Sequence, residues 1–237
     1  MSKIKPAAAA QTDGKGPEAR TGKSVERRAR ILDAAERLLR GDGAAEFSMR
    51  DLAEAAGVSF ATPFNQFGSK AGIMQALSDR RIDEMDGRLA SLAEPAGMAD
   101  RVLAATDIAT GVLLAEPALN RHLIGFLGVP TAEPGRVAGR SRSYWIAALD
   151  GAADLAKRRD PAAGLARDRL PDLLALGFRG CLSFWVAGEI ADDALPARAR
   201  AMAAALLLGF VRPDGQGSLR ALLSRDGGKD AGTAATP

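Results

Sequence analysis

The chain has few of the side chains on which most catalytic and metal sites depend. Its 237 residues include one cysteine (Cys181) and one histidine (His122), and only 5% of them are aromatic. A Ser-His-Asp or Cys-His site would need these single copies to meet by chance, and no H-E-x-x-H or C-x-x-C spacing occurs. The phosphate-binding patterns G-x-x-x-x-G-K-[ST] and G-x-G-x-x-G are also absent. We therefore expect no enzyme activity, no metal site and no cofactor.

The sequence also lacks long apolar segments. The longest apolar run, 201–211, is about half of the roughly 20 residues that a membrane-spanning helix needs. The opening MSKIKPAAAA has no apolar stretch long enough for a signal peptide. One cysteine cannot form an internal disulfide, which fits a reducing compartment. We expect a soluble, cytoplasmic protein with no membrane partner.

Positive charge is concentrated at the N-terminus. The formal net charge is +3, yet residues 1–30 contain eight basic and three acidic side chains, so the remainder is slightly acidic. A cationic arm beside a DNA-binding unit would release counterions from a phosphate backbone, although it could equally be a solubilising tail. Arg27, Arg28 and Arg30 open the first predicted helix, and we expect them to lie near phosphates.

Residues 48–73 predict two short helices joined by a tight turn, followed by a third helix. Ser48 is a good N-cap, and Leu52, Ala53 and Ala56 then recur on one helical face. Gly57 stands where a left-handed residue ends the helix, and Ser59 can cap the next one. Two short helices across such a turn are typical of a helix-turn-helix, which places its second helix in the DNA major groove.

This stretch resembles the tetracycline-repressor (TetR) family of bacterial regulators. The resemblance lies in A-G-V-S-F-A-T-P-F-N-Q-F-G-S-K at 56–70 and in an upstream amphipathic helix with the apolar stripe Ile31, Leu32, Ala35, Leu38 and Leu39. It implies a three-helix DNA-binding domain followed by a helical domain that binds a small-molecule effector and dimerises. It therefore implies an all-α fold, a homodimer and a double-stranded DNA operator as partner.

The second helix of the motif contains the candidate DNA-contacting side chains. Its N-terminal residues face base edges in such motifs, and Asn can read adenine while Thr or Phe can contact a thymine methyl. Phosphate contacts set the register without reading sequence. The candidates for base edges or sugars are Phe60, Ala61, Thr62 and Asn65, with Ser59 as the cap; those for phosphates are Ser48, Arg50, Thr62, Gln66 and Lys70.

Three residues depart from the family pattern. Phe64 stands where the family has Tyr, so a phosphate-binding hydroxyl is missing and we expect Phe64 to be a core residue. Ala61 replaces Gly, which bars the closest backbone approach to DNA. Pro63 lies in the first turn of its helix, where a missing N–H is tolerable.

The rest of the chain is predicted to be helical. We expect a disordered basic arm (1–24), a helix-turn-helix domain (25–80), a helical effector-binding and dimerisation domain (81–212) and a flexible tail (213–237). The first helix is expected at 25–40, and the third helix of the motif to continue to about residue 92. Pro and Gly stops place further helices at about 98–115, 117–127, 136–159, 168–189 and 195–210, with loops at 128–135 and 160–164.

The helix around 170–187 is apolar nearly all round, so it must be buried on more than one side. The resemblance implies a dimer interface of four helices built from this helix and the next, with Leu174, Cys181, Phe184 and Leu207 as candidates. A large monomeric core is the alternative. Clustered aromatic residues could instead line an effector pocket or simply fill the core: Phe126, Tyr144, Trp145, Phe178 and Trp185.

The sequence thus favours a sequence-specific transcriptional regulator, most simply a repressor released from a palindromic operator by a small, largely apolar effector. One alternative keeps DNA binding without a ligand, as in a chromosome- or division-associated protein of the same fold. A helical enzyme is a third possibility, which the missing catalytic constellations disfavour.

Overall fold

The computed structural model describes residues 17–41, 47–93, 97–128, 136–149, 161–211 and 213–226. Every regular element in these ranges is helical, so the fold is all-α, as predicted. The helices in chain order are α1 Pro17–Arg40, α2 Met49–Ala55, α3 Ala61–Phe67, α4 Lys70–Ala90, α5 Met98–Leu114, α6 Pro117–Phe126, α7 Val137–Leu149, α8 Pro161–Val186, α9 Leu195–Leu208 and α10 Gln216–Asp226.

Two apolar cores lie along the chain, and α4 takes part in both. Near its N-terminus, Ile73 and Leu77 pack with α1, α2 and α6 in the first core. Further along the helix, Ile82 and Met85 pack with α5 and α7 to α10 in the second core. One continuous helix therefore connects the two cores.

Helix α6 also contributes to both cores. Its Leu119 and Leu123 are buried in the first core, whereas Ile124 belongs to the second. The buried Asn120 ties the neighbouring helices together. Its amide nitrogen donates to the carbonyl of Leu113 at the end of α5, at 2.8 Å, and its Oδ1 accepts from Arg81 Nε of α4 at 3.1 Å.

Several predicted boundaries were wrong. Helix α1 begins at Pro17, so residues 17–24 are helical rather than part of a disordered arm; residues 1–16 lie outside the described ranges. Helix α8 begins at Pro161, inside the predicted loop at 160–164. The predicted flexible tail contains α10, which packs on α9 through the fully buried Leu219.

Other boundaries agree closely with the structure. Helices α5, α6 and α9 end within two residues of the predicted positions. Helix α7 was expected to reach residue 159, but 150–160 lie outside the described part of the chain, as do 129–135 of the predicted loop at 128–135. Among the described helices, no single one is long and apolar enough to span a membrane; only α5 and α6 together reach that length, and they meet at a 101° bend.

Candidate DNA-binding site and regulatory cavity

Local capping chemistry builds the first half of the helix-turn-helix. Ser48 Oγ accepts from the backbone N–H of Asp51, and the Asp51 carboxylate accepts from the N–H of Ser48 at 2.8 Å, which closes a capping box. These hydrogen bonds lower the pKa of Asp51. Gly57 adopts a positive φ of 61° in the turn after α2. The predicted cap and the predicted left-handed glycine are therefore confirmed.

The start of α3 differs from the prediction. The helix begins at Ala61, and its N-cap is Phe60, which makes no capping hydrogen bond through its side chain. Ser59 does not cap the helix through its hydroxyl, which lies 2.8 Å from the Thr62 hydroxyl instead. This bond holds the Thr62 side chain in a defined position on the first turn.

The expectation that Phe64 is a core residue was wrong. Phe64 is 40% exposed and meets Phe60, itself 58% exposed, edge-to-face at 5.4 Å between ring centroids. Pro63 is buried in its place, and Phe67 packs against the first core. The surface of α3 therefore presents an aromatic pair next to the exposed Ala61 and Asn65.

Two arginines of α1 fix the C-terminal ends of the motif's helices. Arg28 donates to the carbonyl of Gln66 at 3.0 Å and lies 4.2 Å above the Phe67 ring, at the end of α3. Arg37 donates to the carbonyl of Ala55 at 3.2 Å, at the end of α2. Both bonds supply donors to carbonyls that lack an intrahelical partner. These positioning roles leave no local sequence pattern, because the bonds join residues that are distant in the chain.

The turn from α3 to α4 brings a cation to a helix N-terminus. Gly68 has a φ of 74°, and Ser69 caps α4 by accepting from the N–H of Gly72 at 3.2 Å. Lys70 opens α4 with its ammonium group 4.7 Å from the centroid of the Phe47 ring. Of the other candidates, Ser48 and Arg50 are exposed at the start of α2, and Gln66 is half-buried.

A cavity of about 1550 Å³ runs from the end of α3 into the second domain. At one end it is lined by Gln66 and Phe67, and at the other by residues of α4 to α8. Four of the five predicted pocket residues line it: Phe126, Tyr144, Trp145 and Phe178. The Tyr144 hydroxyl donates to the carbonyl of Ala105 at 2.6 Å, and burial raises its pKa. The Tyr144 ring can therefore contact a ligand in the cavity, whereas its hydroxyl already donates to Ala105.

The fifth predicted pocket residue, Trp185, does not line this cavity. It is fully buried, and its indole nitrogen donates to Asp192 Oδ1 at 2.7 Å. Arg121 of α6 binds the same carboxylate oxygen at 2.6 Å and lies 4.7 Å from the Trp185 ring centroid. Trp185 therefore anchors α6 to the end of α8.

Helix α8 has an exposed apolar face, although two predicted interface residues do not lie on it. Leu174 and Leu207 are fully buried within this chain, so their side chains are not available to a second copy. Leu176 and Phe184 are 70% and 53% exposed, and nothing lies within 4 Å of the position that a Cβ on Gly180 would take. Cys181 is half-buried beside them, and its burial raises the pKa of the thiol.

The comparisons with known proteins agree with this geometry. Residues 31–77, which run from α1 into α4, match the family model described as "Bacterial regulatory proteins, tetR family". A crystal structure of a TetR transcriptional regulator from Rhodococcus sp. RHA1 superposes with a TM-score of 0.63 at 22% identity, covering 79% of this chain and 98% of that one. No curated protein matches the sequence. Residues 31–77 are thus similar to the tetR family of bacterial regulatory proteins, and the chain shares the fold of a TetR transcriptional regulator.

Proposed function

We propose that the protein is a homodimeric repressor that binds a roughly palindromic operator through α3 and leaves it when an effector binds. The observation that carries the proposal is the exposed surface of α3. Aromatic and amide side chains there are solvent-accessible, although Arg28 of α1 bonds the C-terminal end of α3 and the Ser59 hydroxyl bonds Thr62 in its first turn. Rigid presentation of side chains from one helix is what base reading in a major groove requires.

The cavity supports effector control. It reaches from the α3–α4 turn to the second core, so a molecule inside it would touch helices of both domains. Two recognition helices fit successive major grooves only when their spacing is about 34–36 Å. An effector that favours a differently spaced conformation therefore lowers operator affinity by linkage. This cavity favours a regulator over the alternative of a ligand-independent DNA-binding protein of the same fold.

A gel-shift competition tests the DNA-binding part of the proposal. We expect the purified protein to shift a fragment enriched from random duplexes, and unlabelled copies of that fragment to compete at least a hundredfold better than unrelated DNA. Equal competition by both DNAs would leave only nonspecific binding and would contradict a sequence-specific regulator.

Lys70→Ala is expected to weaken specific and nonspecific DNA binding alike. We propose that Lys70, at the first turn of α4, contacts one phosphate together with the helix N-terminus. Losing one such contact should reduce the slope of log K against log salt by about one. Arg88→Ala removes an exposed cation from the last turn of the same helix, where it pairs with Glu84, and serves as the control. An unchanged slope for Lys70→Ala would show that Lys70 does not contact a phosphate.

The aromatic pair on α3 is expected to read thymine methyl groups. Phe60 and Phe64 have no hydroxyl with which to bind phosphate, and they expose apolar edges where the base edges would lie. Replacing thymine by uracil at the contacted position removes one methyl and should weaken wild-type binding about fourfold. Phe60→Ala should bind both DNAs equally. A uracil effect that persists in Phe60→Ala would contradict this assignment.

A further inference from the structure

The wall of the cavity contains a hydrogen-bond donor that has no partner among the described residues. Trp145 is 1% exposed and lines the cavity, yet its indole nitrogen is buried and makes no hydrogen bond within the described part of the chain. An indole N–H can only donate, so only an acceptor can satisfy it. A buried polar group left unpaired costs free energy, and no acceptor of the described residues lies within hydrogen-bond distance of this nitrogen.

A second unpaired donor lines the same cavity. The amide nitrogen of Gln75, on α4, is also buried and has no partner in the ranges that the structure describes. The other unpaired buried atoms in the described ranges belong to Asp79 and Arg140, which face each other at 3.9 Å and do not line the cavity. Two donors from different helices, both on residues that line this cavity, therefore lack an acceptor among the described residues.

Charge in the cavity points to an anion. Arg179 lines the wall, and its guanidinium donates to the carbonyl of Ile124 at 3.2 Å; no carboxylate of the described residues pairs with it. Burial lowers the pKa of Arg179, so a nearby negative charge would be favourable. Asp172, the acidic side chain in the lining, is already paired with Arg142 at 2.8 Å.

The remaining wall is apolar. Between α4 and α8 the lining includes Ile82, Met85, Leu113, Leu123, Phe178 and Leu182. Pockets for small molecules typically combine such a wall with a few polar groups that fix orientation, within about 300–1,000 Å³. The larger volume here leaves room for an apolar body of either acyl or aromatic type.

We infer that the cavity binds a hydrophobic organic acid, whose acidic oxygens accept hydrogen bonds from Trp145 Nε1 and Gln75 Nε2 near Arg179 and whose apolar part packs against α4 to α8. This inference rests on the proposed function, because it names the chemical class of the effector. The acid touches α4 and α6, which contribute to both cores, so its binding is positioned to change how the two domains pack.

Size-matched probes test the inference by calorimetry on the full chain. Decanoate is compared with decan-1-ol, and 2-naphthoate with 2-naphthol, so that acyl and aromatic bodies form separate arms. We expect at least one acid to bind about tenfold or more tightly than its alcohol, because hydrogen bonds to a charged acceptor are the stronger ones. Alcohols that bind as tightly as both acids, or the absence of binding by both acids, would overturn the inference.

Two tryptophan variants test whether the acid binds beside Trp145. Trp145→Phe keeps an aromatic ring and removes the unpaired N–H, and should weaken the bound acid about tenfold. Trp185→Phe is the matched control, since that indole is bonded to Asp192 and lies outside the cavity, and should change affinity less than twofold. Arg179→Gln is a second variant, expected to abolish the preference for acid over alcohol. Equal weakening by both tryptophan variants, or an unchanged preference in Arg179→Gln, would contradict the assigned site.

Operator binding is measured separately, so the two proposals fail in different ways. If the protein shifts its selected DNA but binds neither acid, the regulator stands and the effector class is wrong. If an acid binds through Trp145 but the protein shows no specific DNA binding, the cavity site stands and the proposed repressor is wrong.

Discussion

Phe184→Glu is expected to convert a dimer into a folded monomer. We propose that the exposed apolar face of α8, with Leu176, Gly180 and Phe184, packs against the same face of a second copy. A glutamate there would be buried without a partner at the joint, and breaking such a contact typically costs about 3–5 kcal/mol. Operator affinity should fall as well, because each monomer then holds only one half-site.

Light scattering after size-exclusion chromatography checks this result at micromolar concentration. Ile146→Glu is the control, since Ile146 is also an exposed apolar residue but lies on α7, outside the proposed interface. Leu207→Glu would not be informative, because Leu207 is buried in the protomer and the charge should unfold it. A Phe184→Glu protein that stays dimeric, or an Ile146→Glu protein that dissociates, would contradict the interface.

Asn120→Leu is expected to destabilise the protomer by about 2–4 kcal/mol. The amide of Asn120 caps α5 by donating to Leu113, and its oxygen accepts from Arg81, which also binds Glu36 of α1 at 3.0 Å. A leucine has similar volume but leaves these buried partners without a hydrogen bond. Because the bonds join α4, α5 and α6, the contact between the two domains should loosen with the loss of stability.

Thr106→Val provides the matched control for a buried polar group. Within the described part of the chain, the Thr106 hydroxyl bonds only to the carbonyl of Val102 in the same helix, and that carbonyl already belongs to the helical ladder. We expect a loss of about 1 kcal/mol or less. Urea unfolding of both variants measures the difference; equal midpoints would show that the Asn120 bonds contribute little.

The helix-turn-helix could be predicted from the sequence because its signals are local. Ser48 and Asp51 are three residues apart, and a capping box needs no other part of the chain. Gly57 was predictable for the same reason, since a glycine after a short helix is itself the signal for a positive φ. The spacing of Pro and Gly stops placed most helices for the same reason.

Which side of α3 is buried could not be predicted from such local signals. Phe60 and Phe64 are spaced to share one helical face, but so are Pro63 and Phe67, and a seven-residue helix is too short for periodicity to choose. Contacts from α1 determine which face of α3 is buried. Arg28 bonds the carbonyl at the end of α3, and its guanidinium covers the Phe67 ring, so Phe67 faces α1 and Phe64 faces outward. Such long-range contacts leave no local pattern.

The second domain shows the same limit. The sequence predicted that α8 is buried on more than one side, but the choice between Leu174 and Leu176 for the inner face depends on the packing of α7 and α9. Helix α10 was missed because its sequence is polar and begins after a Gly-rich segment, while its one fully buried residue, Leu219, is held by α9. The unpaired Trp145 nitrogen is likewise visible only when the folded surroundings are known.

Parallel binding-site selections with the wild type and Asn65→Ala test the central claim, that α3 reads an operator in a dimer. Asn65 is exposed on α3, where an amide can bind adenine in a bidentate manner. We predict that the wild type enriches a palindromic motif and that Asn65→Ala enriches one relaxed at a single position in each half-site, with about 1–3 kcal/mol lost there and nonspecific affinity unchanged. An identical motif from both proteins, or no motif from the wild type, would contradict the account.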